Sequence, residues 1–428
     1  MLSRAENELI TQVGAGTPMG NALRQYWFPA VRADEVSADG EPLRVRLLGE
    51  DLIAFRDTSG AVGLVEAFCP HRRAPMFFGR NEERGLRCVY HGWKFDITGR
   101  CTDMPSEPPD SLFKDKVCIG AYPCRERNGV VWTYMGSSPE LPALPELEWN
   151  LVPAEQRYIT KRVQYCNFVQ ALEGGIDPSH VPFLHGTLER DPANIFAQDL
   201  NPRFELLETA YGLRIGTCRR IGEGRVHWNI THFMMPFYNA FAVPNGAVEP
   251  TVGGFAWVPM DDTTTMAWCF TWNPARPLTP EEIDERGSVA RLGGGVHLRA
   301  EDLLPPTSEP GGAWRPIGSK TNDYLLDREA QRTCRFAGVP GLSLQDVSLQ
   351  EGMGPVSDRS REHLGTSDAA IINARRLLLR AARATTPVQG SDAPQSYRVR
   401  ALGVPLTPAD DWTAAASDWI EPRVPAGL

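Results

Sequence analysis

Two short cysteine–histidine pairs restrict what this chain can fold into more than any other feature of its sequence. Cys69-Pro-His71 and Cys88-Val-Tyr-His91 are separated by the sixteen residues 72–87. Both pairs stand where strand-like stretches give way to turns, so each pair can point one way while the other approaches from across the site. Two thiols and two imidazoles at such spacing indicate a bound metal. The segment around them is therefore predicted to present two metal-binding loops.

The order of the ligands distinguishes two kinds of metal site. A zinc site with two Cys and two His more often begins with a Cys pair and ends with a His pair. A Rieske 2Fe-2S cluster instead takes two Cys on one iron and two His on the other. Each pair here mixes one Cys with one His. The spacing favours the cluster, with a zinc site and a chance placement of buried side chains as the alternatives.

Composition excludes several other classes of protein. The 428 residues carry a formal net charge of −9, and 42% of them are hydrophobic. An overall negative charge argues against nucleic-acid binding. No signal peptide or run of about 18 apolar residues stands out, so we expect a cytoplasmic protein without a membrane partner. Nine cysteines at irregular intervals argue against a disulfide framework.

Turn residues and strand-like runs predict an α+β chain with two domains. Hairpins are expected from about residue 40 to 135, after short N-terminal helices. The proline-rich stretch 137–147 is typical of a linker, which places a boundary near residue 150. Residues 1–150 would form the cluster domain and residues 151–428 the second domain. In the second domain, residues 204–258 alternate like an antiparallel sheet.

A second group of polar residues lies between positions 167 and 185. On a helix, one stripe would hold Asn167, Gln170, Gly174, Asp177 and His180. The other faces are apolar, and a polar stripe on a buried helix usually serves an internal site. A solvent-facing stripe is the alternative.

His180 and His185 complete a candidate site for a second metal. Five residues apart, they would not share a face of an unbroken helix. Pro182 breaks the helix and lets both imidazoles meet one metal. Two His and one carboxylate, with open positions, form the facial triad of non-haem Fe(II) oxygenases.

These motifs resemble those of a known family. The stretch CPHRRAPMFFGRNEERGLRCVYHGWKFD resembles the Rieske domain of bacterial ring-hydroxylating oxygenases, and Asp-x₂-His-x₄-His resembles the mononuclear-iron motif of their α subunits. The resemblance covers nearly the whole chain and is strongest to the phthalate dioxygenase branch. It implies an all-β Rieske domain followed by a catalytic domain whose antiparallel sheet is flanked by helices, a helix-grip or START-like fold.

The resemblance also implies roles for individual residues. Asp346, in GLSLQDVSLQEG, matches the third iron ligand, with Glu351 as its rival. Asp177 could orient His180, and the matching aspartate of the family links that histidine to a Rieske histidine of the next subunit, here His91. This implies a homotrimer or a stacked hexamer. Asn167 matches a polar residue that the family keeps near the iron.

The function implied is that of a terminal oxygenase component. A separate FMN and 2Fe-2S reductase drawing on NADH would deliver electrons, and O₂ would react with an aromatic substrate at the mononuclear iron. An aromatic carboxylate such as phthalate or a substituted benzoate is expected, bound by Arg214, with Phe233 and Met235 lining the pocket. The alternatives are a monooxygenase acting in O- or N-demethylation or aryl ether cleavage, and a Rieske electron carrier without oxygenase activity.

Overall fold

The N-terminal part of the molecule consists of two short helices and three small sheets. The computed structural model describes residues 1–189, 194–243, 251–288, 294–384, 390, 393–415 and 417. The helices are α1 (Arg4–Thr11) and α2 (Pro18–Leu23). The strands that follow are β1 (Trp27–Arg32), β2 (Leu43–Leu47), β3 (Glu50–Arg56), β4 (Val62–Glu66), β5 (Arg80–Glu82), β6 (Gly85–Arg87), β7 (Lys94–Phe95), β8 (Cys101–Asp103), β9 (Ala121–Tyr122), β10 (Cys124–Arg127) and β11 (Val130–Tyr134).

Antiparallel pairing arranges these strands in the orders β1-β11-β10, β2-β3-β4-β9 and β5-β6-β7-β8. Leu48 and Gly49 form the turn between β2 and β3, both at positive φ (49° and 78°). Two residues at positive φ match the twist of a tight hairpin. The amides of this turn donate to Pro259 O and Met260 O at 3.1 and 2.8 Å. The hairpin therefore also fastens the N-terminal sheets to the second half of the chain.

One large antiparallel sheet dominates the rest of the chain. Its strands are β12 (Arg157–Gln164), β13 (Arg203–Glu208), β14 (Gly212–Arg220), β15 (Val226–Met234), β16 (Tyr238–Ala242), β17 (Val252–Pro259), β18 (Thr265–Trp272) and β19 (Leu402–Leu406). They follow the order β12-β18-β17-β16-β15-β14-β13, with β19 beside β15. The predicted sheet over 204–258 is present, apart from residues 244–250, which lie outside the described residues. The structure adds β12, β18 and β19 to it.

Helices pack on this sheet, and the last of them lies on the opposite face from the first, with Trp412 stacked on Trp228. The helices are α3 (Phe168–Gly175), α4 (Val181–Leu184), α5 (Ile195–Gln198), α6 (Pro280–Gly287), α7 (Arg328–Thr333), α8 (Leu342–Gly352), α9 (Ala369–Arg383) and α10 (Trp412–Ala415). Helix α3 packs on β17 and on α8, and α9 packs on β14 and on the N-terminal helices. We call the face of the sheet that is turned towards α3 and α8 the inner face. The described helices include none that is long and apolar enough to cross a membrane.

The hydrophobic core runs from two of the N-terminal sheets into the large sheet, whereas Cys69 and Cys88 belong to a separate buried cluster. Phe28 and Trp132 belong to the same buried cluster as Trp268 and Phe270. Trp149 stacks on Phe270 with ring centroids 3.7 Å apart. The segment predicted as a linker is therefore held at its end by core packing. The two-domain boundary near residue 150 stays a prediction.

A buried ionic network holds α3 in place. Glu173 accepts hydrogen bonds from Arg359 Nε at 3.0 Å and from Arg375 Nε at 2.7 Å. Arg375 also donates to Glu362 at 2.5 and 3.0 Å. Burial alone would raise the pKa of Glu173, but the two arginines outweigh it and hold that pKa below 4.5. The network ties α3 to α9 and to the segment before it.

Replacing Arg359 with Met should destabilise the fold by about 3 kcal/mol, because a buried carboxylate loses a fully buried partner. The depressed pKa of Glu173 contributes stability above its unfolded value of 4.5, and this contribution is lost as the pH falls further. Urea unfolding of the wild type and the variant at neutral pH and below about pH 4 measures both effects.

The matched control is Arg380→Met. Arg380 pairs with Glu208 on the surface, and the two side chains are 60% and 51% exposed. We expect less than about 1 kcal/mol for this variant. Equal unfolding free energies for the two variants would contradict the role given to the buried network.

Candidate metal centres

The two Cys/His loops repeat the same backbone hydrogen bonds. Cys69 N donates to Ala74 O at 2.9 Å, and Cys88 N donates to Trp93 O at 2.8 Å. In return, the amide four residues after each cysteine, that of Arg73 or Gly92, donates to the cysteine carbonyl. Both of these residues have positive φ, 60° and 79°. Each loop therefore turns the following histidine back towards its cysteine.

The cysteines lie inside these loops and the histidines lie outside. Cys69 and Cys88 are 1% and 3% exposed, whereas the ring of His71 is exposed and that of His91 is half-buried. The two imidazole centroids are 4.4 Å apart. Burial raises the pKa of the Cys69 thiol to about 11, so a thiolate here needs the positive charge of a metal.

The arrangement fits a two-iron cluster better than one zinc ion. A tetrahedral zinc would bring its four ligand atoms to roughly 3.3–3.8 Å from one another. Among the described residues, the set with three or more ligand atoms inside 4.8 Å is His180, His185 and Asp346. The Cys/His loops are not in that set. A thiol end and an imidazole end that do not meet at one point are what a Rieske cluster requires.

The second centre brings together three side chains from two distant parts of the chain. His180 Nε2 and His185 Nε2 are 3.1 Å apart. Asp346 Oδ1 lies 3.5 Å from the first and 3.4 Å from the second. The three ligand atoms thus surround one point and leave its other side open. This donor set, two imidazoles and one carboxylate, fits a non-haem Fe(II) ion.

A single helical turn sets the spacing of the two histidines. Helix α3 ends at Gly175, and the chain is not helical again until α4 begins at Val181. His180 and His185 flank α4, with Pro182 in its first turn, where proline is well tolerated. The break that turns the histidines inward therefore lies before His180, whereas the sequence had suggested Pro182 as its cause.

Hydrogen bonds to the other ring nitrogens fix both imidazoles. His185 Nδ1 lies 2.7 Å from Gln345 Oε1, and Gln345 Nε2 donates to Val339 O at 2.9 Å. His180 Nδ1 lies 3.4 Å from Asp177 Oδ2. Each Nε2 is thereby left to face the metal position, the arrangement usual for histidine ligands. Gln345 was not singled out in the sequence, because only the folded chain places it against His185.

Glu351, the rival of Asp346, is occupied elsewhere. Its carboxylate accepts hydrogen bonds from Tyr165 N and from the Tyr324 hydroxyl, both at 2.8 Å. It belongs to the same helix as Asp346 but faces away from the two histidines. The geometry therefore favours Asp346.

Asn167 is not brought to the two histidines. Its Oδ1 caps α3 by accepting from Val169 N, and its Nδ2 donates to Thr11 O and Asp262 O. The eight residues of α3 place it about 12 Å along the helix from the Asp177 end. Gln170 likewise donates to backbone carbonyls at 2.7 and 2.8 Å. Asn167 and Gln170, the first two residues of the predicted polar stripe, therefore anchor α3 to the surrounding backbone. This differs from the expectation that Asn167 lies near the iron.

Arg214 lies on the outer face of the sheet. It is paired with His232 on β15, whereas Arg219 is an odd number of residues away and therefore points to the opposite face. Arg219 Nη2 donates to Pro178 O at 2.8 Å, next to Asp177. The arginine of β14 on the side of the metal centre is thus Arg219, and the expectation for Arg214 is not supported.

Phe233 and Met235 are both in the core. Phe233 shares the inner face with Arg219 and is fully buried. Met235 follows the end of β15 and is 1% exposed, and its carbonyl accepts from the Tyr397 hydroxyl. Neither is among the residues that line the cavity beside His180. That cavity of about 550 Å³ is walled largely by apolar side chains, among them Phe183, Leu184, Phe336 and Leu349.

Comparison with known proteins identifies the family. Residues 26–123 match the Rieske 2Fe-2S domain, and residues 133–405 match the family described as LigXa C-terminal domain like. The 3-chlorobenzoate-3,4-dioxygenase oxygenase subunit of Comamonas testosteroni is 39% identical over 430 residues, covering 97% of this chain and 98% of that protein. This chain belongs to the Rieske non-haem iron oxygenase α subunits. The phthalate 4,5-dioxygenase oxygenase subunit of Pseudomonas putida is 37% identical over 395 residues, covering 89% and 86%.

The comparisons confirm the predicted family, its phthalate-like branch and the enzyme class. The crystal structure of dicamba monooxygenase bound to dicamba has a TM-score of 0.59 and 17% identity, covering 84% of this chain and 98% of that one. This likeness confirms the predicted fold class. A Rieske oxygenase α subunit carries one 2Fe-2S cluster and one mononuclear iron, which confirms the predicted cofactors. A lone electron carrier or a zinc module would not account for the match over residues 133–405.

Replacing Asp346 with Ala should remove the mononuclear iron and the activity and leave the visible Rieske spectrum unchanged, since one metal site loses a ligand. Iron analysis should fall from about three to about two ions per chain. Glu351→Gln is the matched control, because Glu351 lies five residues after Asp346 on the same helix and faces away from the histidines. This variant should keep all three iron ions. The reverse pattern would make Glu351 the ligand.

Proposed function

We propose that this Rieske oxygenase acts on an aromatic carboxylate, such as phthalate or a substituted benzoate. The observation that carries the proposal is an imidazole, imidazole and carboxylate triad that opens beside a cavity with apolar walls. A flat apolar ring suits such walls. The relatives named for 3-chlorobenzoate and phthalate support the carboxylate.

Each metal group would be held by the side chains already described. The cluster would be held by Cys69, His71, Cys88 and His91. The iron would be held by the triad of His180, His185 and Asp346. When bound, the cluster supplies electrons one at a time and the iron supplies open positions for O₂ and substrate. Gln345 and Asp177 keep the two imidazoles of the triad in orientation.

Asp177 is proposed to connect the two metal centres between subunits. Its carboxylate reaches His180 Nδ1 and stays 21% exposed, so it can also accept a hydrogen bond from the partner subunit's His91. Apolar side chains are exposed near both ends of this path. Beside the cluster they are Phe78, Val89 and Tyr90, and beside the triad they are Phe183, Leu188 and Phe336. Exposed apolar patches of this kind suit a subunit interface and support an oligomer, which on the family resemblance is a homotrimer or a stacked hexamer.

The other partners are proposed on the same basis. A separate reductase with FMN and a 2Fe-2S centre, drawing on NADH, would reduce the cluster at its exposed imidazole end. The protein would work in the cytoplasm, where NADH is available. These two statements rest on the family.

Replacing Asp177 with Asn should slow electron transfer between the centres and leave most of the mononuclear iron bound, because the amide stays polar but loses the negative charge next to His180. Single-turnover oxidation of the reduced cluster, followed by its visible absorbance in the presence of substrate and O₂, measures the rate. Asp358→Asn is the control, since that exposed carboxylate accepts its hydrogen bonds from Ser360. Unchanged cluster oxidation coupled to product in Asp177→Asn would remove Asp177 from the path.

A panel of aromatic acids tests the substrate class. With reductase and NADH, 3-chlorobenzoate or phthalate should stimulate O₂ uptake, and the corresponding amides should not. Product analysis separates ring hydroxylation, which gives a cis-diol or a phenol, from O- or N-demethylation, which releases formaldehyde together with a phenol or an amine, and from aryl ether cleavage, which releases a phenol. Equal turnover of acid and amide would contradict the carboxylate.

A further inference from the structure

A buried arginine on the inner face of the sheet lacks partners for most of its donors. Arg162 of β12 is 1% exposed. Its Nη1 lies 2.9 Å from Cys269 Sγ, a weak acceptor. Its Nε and Nη2 have no hydrogen-bond partner among the described residues. Two of the directions in which a guanidinium normally binds an anion are therefore unfilled.

Hydrogen bonds join strand β12 and helix α8 directly at one end and through residues 296 and 297 at the other. Gln164 Nε2 donates to Gln350 Oε1 at one end of the pair. At the other end, Ser343 Oγ donates to Val296 O at 2.8 Å. The next residue, His297, places its Nδ1 2.8 Å from Thr160 Oγ1. The inner face of β12 thus follows α8 from its first turn to its last.

Arg162 lies level with Asp346 in this pair. Two residues of a strand rise about 6.6 Å, and four residues of a helix rise about 6 Å. Arg162 is two residues before Gln164, and Asp346 is four residues before Gln350. The distance from the Gln164–Gln350 hydrogen bond is therefore nearly the same for Arg162 along the strand as for Asp346 along the helix. The guanidinium faces the region beside the third ligand of the triad.

No carboxylate among the described residues forms a hydrogen bond with Arg162. The acidic groups close enough to be affected by it, within the described part of the chain, are Asp346 and Glu351. Asp346 belongs to the triad, and Glu351 is bound by Tyr324. Arg286 adds a second positive charge nearby, with Nε and Nη2 also unpartnered. Buried charges are normally paired, so the unpartnered donors of Arg162 suit an anion that enters from outside.

Aromatic rings stand next to the guanidinium. Its central carbon lies 5.5 Å from the ring centre of Phe255 and 5.7 Å from that of Trp257. Both residues are on β17 and are an even number of residues apart, so they share the inner face with Arg162. A cation flanked by flat apolar rings matches a ligand with a carboxylate on an aromatic ring.

We propose that Arg162 binds the carboxylate of the substrate and thereby determines which ring carbons face His180, His185 and Asp346. The inference rests on the proposed function and adds the residue that selects the acid. A guanidinium that only supported the ionised Asp346 would not distinguish an acid from its amide.

The test compares binding of 3-chlorobenzoate and 3-chlorobenzamide to the iron-loaded oxygenase by anaerobic titration calorimetry. Arg162→Gln should weaken binding of the acid by about 100-fold, because a desolvated charge pair is lost. The amide should change by no more than a few-fold. Arg214→Gln is the matched control, because it removes the same charge from the outer face of the same sheet, and it should leave the affinity for the acid unchanged.

Iron content and the Rieske spectrum are measured on every variant. If Arg162→Gln loses the mononuclear iron, Arg162→Lys decides, since it keeps the charge but not the two-pronged geometry. A loss of about 10-fold or more for the acid alone supports the inference. Unchanged acid affinity in an iron-loaded Arg162 variant overturns it. Wild type that binds acid and amide equally would instead overturn the proposed substrate class, and this inference with it.

Discussion

The mononuclear site depends on buried amide side chains that fix α8 against α3 and β12. Gln350 accepts from Gln164 through its side chain and from Gln170 through its backbone carbonyl. Asp346 lies one helical turn before Gln350 on the same face. Any shift of α8 would break these hydrogen bonds in a place that water does not reach, which is costly. The position of the carboxylate relative to the two histidines is therefore set by polar contacts that contain no metal ligand.

The two centres are built in different ways. The cluster loops are local, and each is closed by backbone hydrogen bonds within six residues. The triad is joined across the chain, since His185 and Gln345 are 160 residues apart. The cluster loops leave an imidazole end accessible and cover the thiols, whereas in the triad Asp346 is 20% exposed and His180 23%. Electrons can thus reach the cluster at its histidines.

This difference explains how much the sequence could reveal. Cys69, His71, Cys88 and His91 follow from short spacing, and so do His180 and His185. Spacing alone could not identify Asp346, which came from a family resemblance.

The spacing of residues in the sequence could not predict the roles of other polar residues, such as those on the sheet. Choosing between Arg214 and Arg219 requires the strand register, because one residue changes the face. Asn167 has the right polarity, but its donors and acceptor are used by the backbone around α3. Arg162 sits in a strand with no distinctive pattern, and only its unfilled donors draw attention to it.

The long separation of His185 from Gln345 has a consequence for how the enzyme matures. Closing a loop of that length costs entropy that only the finished tertiary structure can offset. Since an unfolded chain offers no preformed triad, we expect iron to bind once the catalytic sheet and α8 have docked, and then to link these two parts of the domain. We therefore expect a chain that folds without iron to take up the ion afterwards.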